Sequence, residues 1–263
     1  MSDESTPENH ARSQPRSQTQ PNSQSQPTSQ LHRTATYEIS EYEDLLNELL
    51  NRGYSFRTFS ETKKPTSKTV LLRHDVDLSV TRARAMAAIE ATLGVRSTYC
   101  FLLTSPLYSL TETETREALD QIQSMGHEIA VHFDTHSYWD TEPTQRELTA
   151  AVTAERTTLS RLSNTAVESV SFHIPPKWVL DRSFSAFTNT YSPPYFSEIE
   201  YCSDSSQKWI TEPPFTDVVP ETFQLLVHPG LWHPTHQSID AILAEKRSQA
   251  HAAVDAHVDG YIG

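Results

Sequence analysis

From Tyr37 onward, short apolar runs of strand length alternate with stretches of helical period, and that alternation leaves few folds open. Residues 39–51 carry Tyr42, Leu45, Leu46, Leu49 and Leu50 at helical spacing and stop at Gly53. Strand candidates follow at 54–59 and 68–74. An Ala-rich helix at 81–93 is closed by Gly94, a strand runs over 97–103, and a helix at 112–125 is closed by Gly126. The cadence then repeats: a strand at 127–133, a helix at 143–162 whose Pro143 suits a first turn, and a strand at 167–173. An irregular stretch passes through Pro193-Pro194, followed by strands at 199–202 and 223–228 and a closing helix at 239–254. Such alternation predicts an α/β fold of parallel strands with helical crossovers, and the lack of a 20–50-residue repeat excludes a solenoid.

The polar residues with chemistry in them fall at one kind of place. Asp75 and Asp77 in L-L-R-H-D-V-D, His132 and His136 in G-H-E-I-A-V-H-F-D-T-H, and also His173 and His228 lie at or just beyond the C-terminal ends of predicted strands. In parallel α/β architectures active sites form there. Asp75 and Asp77 are two apart, so on a strand both carboxylates can point the same way. His132 and His136 are four apart, close enough for both imidazoles to reach one ion from a single turn or tight loop. Two imidazoles and a carboxylate are a common hydrolytic zinc set with positions left open for water and substrate. Should His136 not serve, Asp134 is the alternative oxygen donor.

Composition narrows the rest. Residues 1–36 are dominated by Ser, Gln, Thr, Pro and Asn and cannot bury enough surface to offset chain entropy, so they read as a disordered tail ahead of a single catalytic domain at 37–263. Neither a signal-type apolar stretch nor a membrane-length run occurs, which predicts a soluble, cytoplasmic protein. The net charge of −13 argues against nucleic acid or anionic membrane as a partner. With only six lysines, the balance resembles the acidic surfaces of proteins from salt-loving organisms. Two cysteines, Cys100 and Cys202, exclude a cysteine-built zinc site and read as reduced thiols.

Taken together, these residues resemble the polysaccharide deacetylases of carbohydrate esterase family 4, with their NodB homology domain, in a divergent branch carrying R-H-D-V-D. The resemblance runs from about Val70 to Pro234. It rests on Arg73-His74-Asp75-Val76-Asp77, on Gly126-His127-Glu128-Ile129 running into His132 and His136, and on Ser171-Phe172-His173-Ile174-Pro175-Pro176. Asp204-Ser205 and Leu225-Leu226-Val227-His228-Pro229 complete it. It implies a distorted (β/α)7 barrel and hydrolytic removal of an acetyl group from an N- or O-acetylated sugar. It also implies a divalent metal, zinc first, on Asp77, His132 and His136, with Asp75 as general base and His228 as general acid. Val76 separates two aspartates that are adjacent in the family, so base and ligand can exchange roles. An arginine of the family's third motif is replaced by Ile174, which leaves Arg73, His74, His173 or Lys177 to supply positive charge.

Around this set, Asp204 is the carboxylate expected to orient His228. Arg73, His74, His173 and Trp232 are expected to contact substrate or support the site, and one or two of Trp139, Trp178, Trp209 and Trp232 to stack on sugar. His127 reads as structural, His233 and His236 as surface residues. Two other readings stand beside the deacetylase: a metal amidohydrolase acting on a non-sugar amide, and a barrel that binds glycan without turning it over.

Overall fold

The computed structural model describes residues 36–215 and 218–261, so the tail expected over 1–36 lies, apart from Thr36, outside the described residues. The elements are α1 (Ile39–Asn51), β1 (Ser55–Arg57), β2 (Thr69–Val76), α2 (Val80–Thr92), β3 (Thr98–Leu102), α3 (Thr113–Ser124), β4 (Glu128–Phe133) and α4 (Gln145–Ser163). There follow β5 (Ser169–Phe172), the single turn α5 (Lys177–Leu180), β6 (Thr188–Asn189), the single turn α6 (Pro193–Phe196), β7 (Glu200–Ser203), β8 (Thr222–Val227) and α7 (Ile239–Asp259). All strand pairs are parallel, in the order β6-β5-β4-β3-β2-β8-β7. β1 lies along the first half of β2 (Ser55 opposite Thr69), and β3 along its second half (Arg73 opposite Thr98).

The sheet curls on itself, as the barrel expectation required. Gln224 of β8 donates through Nε2 to the carbonyls of Thr190, just beyond β6, and Tyr195, in α6, at 3.0 and 2.7 Å. Side chains thus bridge an interior that the backbone leaves open, since β6 and β7 are the unpaired ends of the path. The two-residue β6 and the turns α5 and α6 occupy the stretch whose sequence carried no period.

Strand alternation sorts β2 into two faces. Val70, Leu72 and Val76 pack outward on the helices, whereas Leu71 packs inward with Phe59 and Tyr195 to close the lower end of the barrel. Above Leu71 the inward positions are Arg73 and Asp75, so the interior turns polar toward the C-terminal ends of the strands. Two outer cores flank this interior. In one, Tyr99, Phe101, Val131, Phe133 and Phe172 meet Leu119 and Ile122 of α3 and Leu148, Val152 and Leu159 of α4. In the other, Tyr42, Leu45, Leu46 and Leu49 of α1 cover Val70, Leu72, Phe223, Leu225 and Val227.

Local signals account for the helix ends. Ser79 caps α2 by accepting from Arg82 N, and Thr144 with Glu147 forms a capping box on α4. Pro143 therefore stands before the cap rather than in the first turn. Gly94 and Gly126 follow α2 and α3 at φ +71° and +91°, the left-handed conformation that ends a helix most easily with glycine. His233 is buried rather than a surface residue and His236 is half-buried; both tie down the start of the described chain, His233 N donating to Tyr37 O and Tyr37 N to His236 Nδ1. Among the described residues both cysteines are free, and no helix is long and apolar enough to cross a membrane.

Candidate metal centre and its surroundings

Inward-facing positions on neighbouring strands converge at the C-terminal rim. Asp77 continues the inward row of β2 two residues past Asp75, His132 sits near the end of β4, and His173 follows β5. Because His132 pairs in register with Ser171, His173 comes up beside it one inward step higher. Asp77 Oδ1 lies 3.1 Å from His132 Nε2 and 3.5 Å from His173 Nδ1, and the two ring nitrogens are 3.1 Å apart. One ligand atom from each of the three residues falls within 4.8 Å of the others.

This donor set fits a divalent metal. Asp77 Oδ1 is buried and makes no hydrogen bond. His132 Nδ1 is 3.1 Å from Ser171 Oγ, and donating a proton there leaves the Nε2 lone pair turned to the cluster. Burial works against a charge on Asp77, but His132, then His173 and His228, outweigh it and hold the carboxyl far below the usual range. Contact with Asp77 in turn raises the His173 imidazole.

Asp75 sits one inward step below, buried, with Oδ2 3.0 Å from Arg73 Nη2 and 3.4 Å from Ser171 Oγ. Burial opposes its charge too; the Arg73 guanidinium, then His132 and His228, prevail and lower its pKa. On the other flank His228, the residue after β8, points Nε2 at Asp77 Oδ2 from 3.8 Å. Its Nδ1 is 2.5 Å from Asp204 Oδ1, and its backbone N–H also donates to the Asp204 carboxylate. Burial alone would lower this imidazole, but Asp204, with Asp77 and Asp75 behind it, pushes it up to about 9.

Three expected site residues stand elsewhere. His136 does not join Asp77 and His132: the chain enters a 3-10 turn at Thr135–Ser137, capped by Asp134, and the His136 side chain is 57% exposed with Nδ1 3.1 Å from Asp134 Oδ1. Asp134, the alternative donor, is committed to that turn through His136 N and Ser137 Oγ. His74 has the wrong parity; between Arg73 and Asp75 it faces outward, where Nε2 pairs with Glu90 of α2 at 2.7 Å. Trp232 is fully buried and offers no face to a sugar; its Nε1 donates to Asp204 Oδ2 at 2.9 Å, beneath His228. Trp209 is buried with it, while Trp139 and Trp178 are half-buried. Ile174 takes the left-handed conformation at φ +41° and turns its side chain outward, 71% exposed.

Four residues of the surroundings carried no expectation. Ser171 and Gln224 had a readable signal, each being an even number of positions before a strand-end histidine on the same face. Thr190 and Tyr191 had none, because they lie in the patternless stretch after β6.

No protein-family model and no curated protein matches this chain. Among solved structures it resembles a family 4 carbohydrate esterase from Bacillus anthracis at 14% identity and TM-score 0.37, over 81% of this chain and 86% of that one. It resembles a family 4 acetyl xylan esterase from Clostridium thermocellum in complex with a cobalt ion at 15% identity and TM-score 0.40, over 68% and 84%. A family 4 pseudoenzyme from Bacillus anthracis is similar at 14% identity and TM-score 0.43, over 70% and 62%. At such identities the likeness concerns the course of the backbone alone.

Proposed function

We propose that this protein is a metal-dependent hydrolase that removes an acetyl group from an N- or O-acetylated sugar. The observation that carries the reading is the convergence of Asp77, His132 and His173 on one point, flanked by a buried carboxylate and a carboxylate-held histidine. The sugar and acetyl parts of the reading come from the sequence motifs. Asp77, His132 and His173 would hold a divalent ion, zinc first, whose chemistry when bound is polarisation of an acyl carbonyl and activation of water. In this reading Asp75 accepts the proton of the attacking water. His228, whose Nδ1 is held by Asp204, donates one to the departing amine or hydroxyl in this reading.

A second reading, a barrel that binds without turnover, draws support from Ile174, which is exposed and apolar where the motif would bring a cation to the base. One experiment separates the two. Zinc and cobalt binding are measured on wild type, His173→Ala and His136→Ala, and acetate release is followed from chito-oligosaccharides and O-acetylated xylo-oligosaccharides. The hydrolase reading expects about one ion per chain and acetate release in wild type. His173→Ala should weaken metal binding by at least about tenfold, the lower end of what even an outer partner costs, with His136→Ala close to wild type. Metal retention without turnover supports the binding barrel. An unchanged affinity in His173→Ala sinks the ligand assignment.

A further inference from the structure

We infer that Arg73 is the positioning residue of the base, fixing the Asp75 carboxylate from inside the barrel through a clamp made by Gln224, Thr190 and Tyr191. The role of Asp75 rests on the hydrolase reading above; the clamp itself rests on geometry alone. Arg73 is completely buried in the barrel interior, where a guanidinium needs matched donors; both Nη atoms have partners, while Nε has none. Nη1 donates to Gln224 Oε1 at 2.7 Å and Thr190 Oγ1 at 3.0 Å, while Nη2 donates to Tyr191 OH at 2.9 Å and Asp75 Oδ2 at 3.0 Å. The guanidinium also lies 4.7 Å from the centre of the Tyr191 ring. A planar fork held at three corners delivers its fourth contact in a fixed direction, which a flexible ammonium does not.

Of the other cations named in the sequence, His173 pairs with Asp77, at 3.5 Å. Lys177 is exposed, Ile174 brings no charge, and His74 is committed to Glu90 on the outer face. His132 comes within 3.7 Å of Asp75 Oδ2, but its Nδ1 is closer to Ser171 Oγ, at 3.1 Å. Oδ2 is therefore occupied from below by Arg73 and from the side by Ser171. Oδ1 is left buried and outside the clamp. The charge that serves the base thus comes from two residues earlier on its own strand.

The test compares wild type with Arg73→Met, Arg73→Lys and the milder Tyr191→Phe, which keeps the charge and removes one corner of the clamp. Cobalt(II) absorption and zinc affinity are read first, then kcat and KM for acetate release from chito-oligosaccharides, then crystal structures. We expect metal binding within a few-fold of wild type in all three. In Arg73→Met kcat should fall about 10–100-fold, as for other outer partners of catalytic groups, with KM little changed. Arg73→Lys should recover part of the loss, and Tyr191→Phe should lose several-fold. A folded Arg73→Met or Tyr191→Phe with wild-type kcat overturns the inference. If wild type releases no acetate from any probe, the hydrolase reading falls and the clamp is decided by the crystal structures. A carboxylate of Asp75 that swings away in Tyr191→Phe or Arg73→Met supports positioning, and one that stays in place overturns it.

Discussion

At the scale of single residues, a buried carboxyl with no cation beside it resists ionisation, and one residue shows the cost. Glu155 of α4 is buried; Tyr138 OH donates to Oε1 at 2.7 Å, while Oε2 has no partner. Burial pushes its carboxyl up to about 7, with the Tyr138 hydrogen bond opposing. A folded-state pKa above the unfolded value means that the folded chain holds its proton more tightly. Stability is therefore lost as pH rises from about 4.5 to about 7 and stays reduced above. We expect Glu155→Gln to be more stable than wild type at pH 8 by up to about 3 kcal/mol, and equal to it below pH 4. Urea denaturation at both pH values checks this; a difference independent of pH would contradict it. Ile174 is the opposite kind of residue, a β-branched side chain in the left-handed region. It lies between His173, whose backbone N–H donates to Phe133 O at 2.9 Å, and Pro175, so both neighbours constrain it.

Between elements, a second buried ionic group does structural work on the outer face of β2. Glu90 of α2 receives Tyr42 OH of α1 at 2.5 Å and Tyr99 OH of β3 at 2.9 Å on Oε1, beside His74 Nε2 of β2 at 2.7 Å, and Ser97 Oγ on Oε2. His127, just ahead of β4, closes the group, with Nδ1 3.5 Å from Oε2 and Nε2 3.0 Å from Ala87 O. Burial opposes the charge on Glu90, and His74, His127 and Ser97 together hold its pKa low. One carboxylate thus ties two helices to two strands. Glu90→Gln should lower the unfolding free energy by about 3 kcal/mol, the range for breaking a buried pair; a denaturation midpoint like that of wild type would overturn this. The elements themselves were legible because their signals are local. Capping serines and threonines, terminal glycines and a 3.6-residue period act over a few residues. β6 and the turns beside it were not, since two paired residues have no period to read.

On the scale of the whole molecule, the barrel is completed without the last helix. α7 has a single buried residue, Ile242, near its start, and every described position from His251 onward is exposed. Truncation after Ala250 should change the unfolding free energy by less than about 1 kcal/mol. A large drop on thermal or urea denaturation would show that the far half of α7 bears on the fold. The barrel itself depends on contacts distant in sequence, such as Arg73 with Thr190 and Gln224 with Tyr195.

The division between what could be read and what could not follows from range. Alternation of strand and helix, the parallel α/β class, the polar strand ends and the pairing of Asp75 with Asp77 on one face all follow from nearest-neighbour periodicities, and the sequence determined them by itself. Which of two histidines meets Asp77 did not follow, because His136 and His173 both lie just past a strand and both satisfy a spacing argument. The tertiary structure decided it: β4 and β5 pair in a register that lifts His173 beside His132, while Asp134 draws His136 into a turn facing solvent. The same holds for Trp232, drawn under Asp204, and for Arg73, whose partners beyond its own strand come from two distant segments. Period and capping are written in adjacent residues. Register between strands and the filling of a barrel are set only when the whole chain has closed.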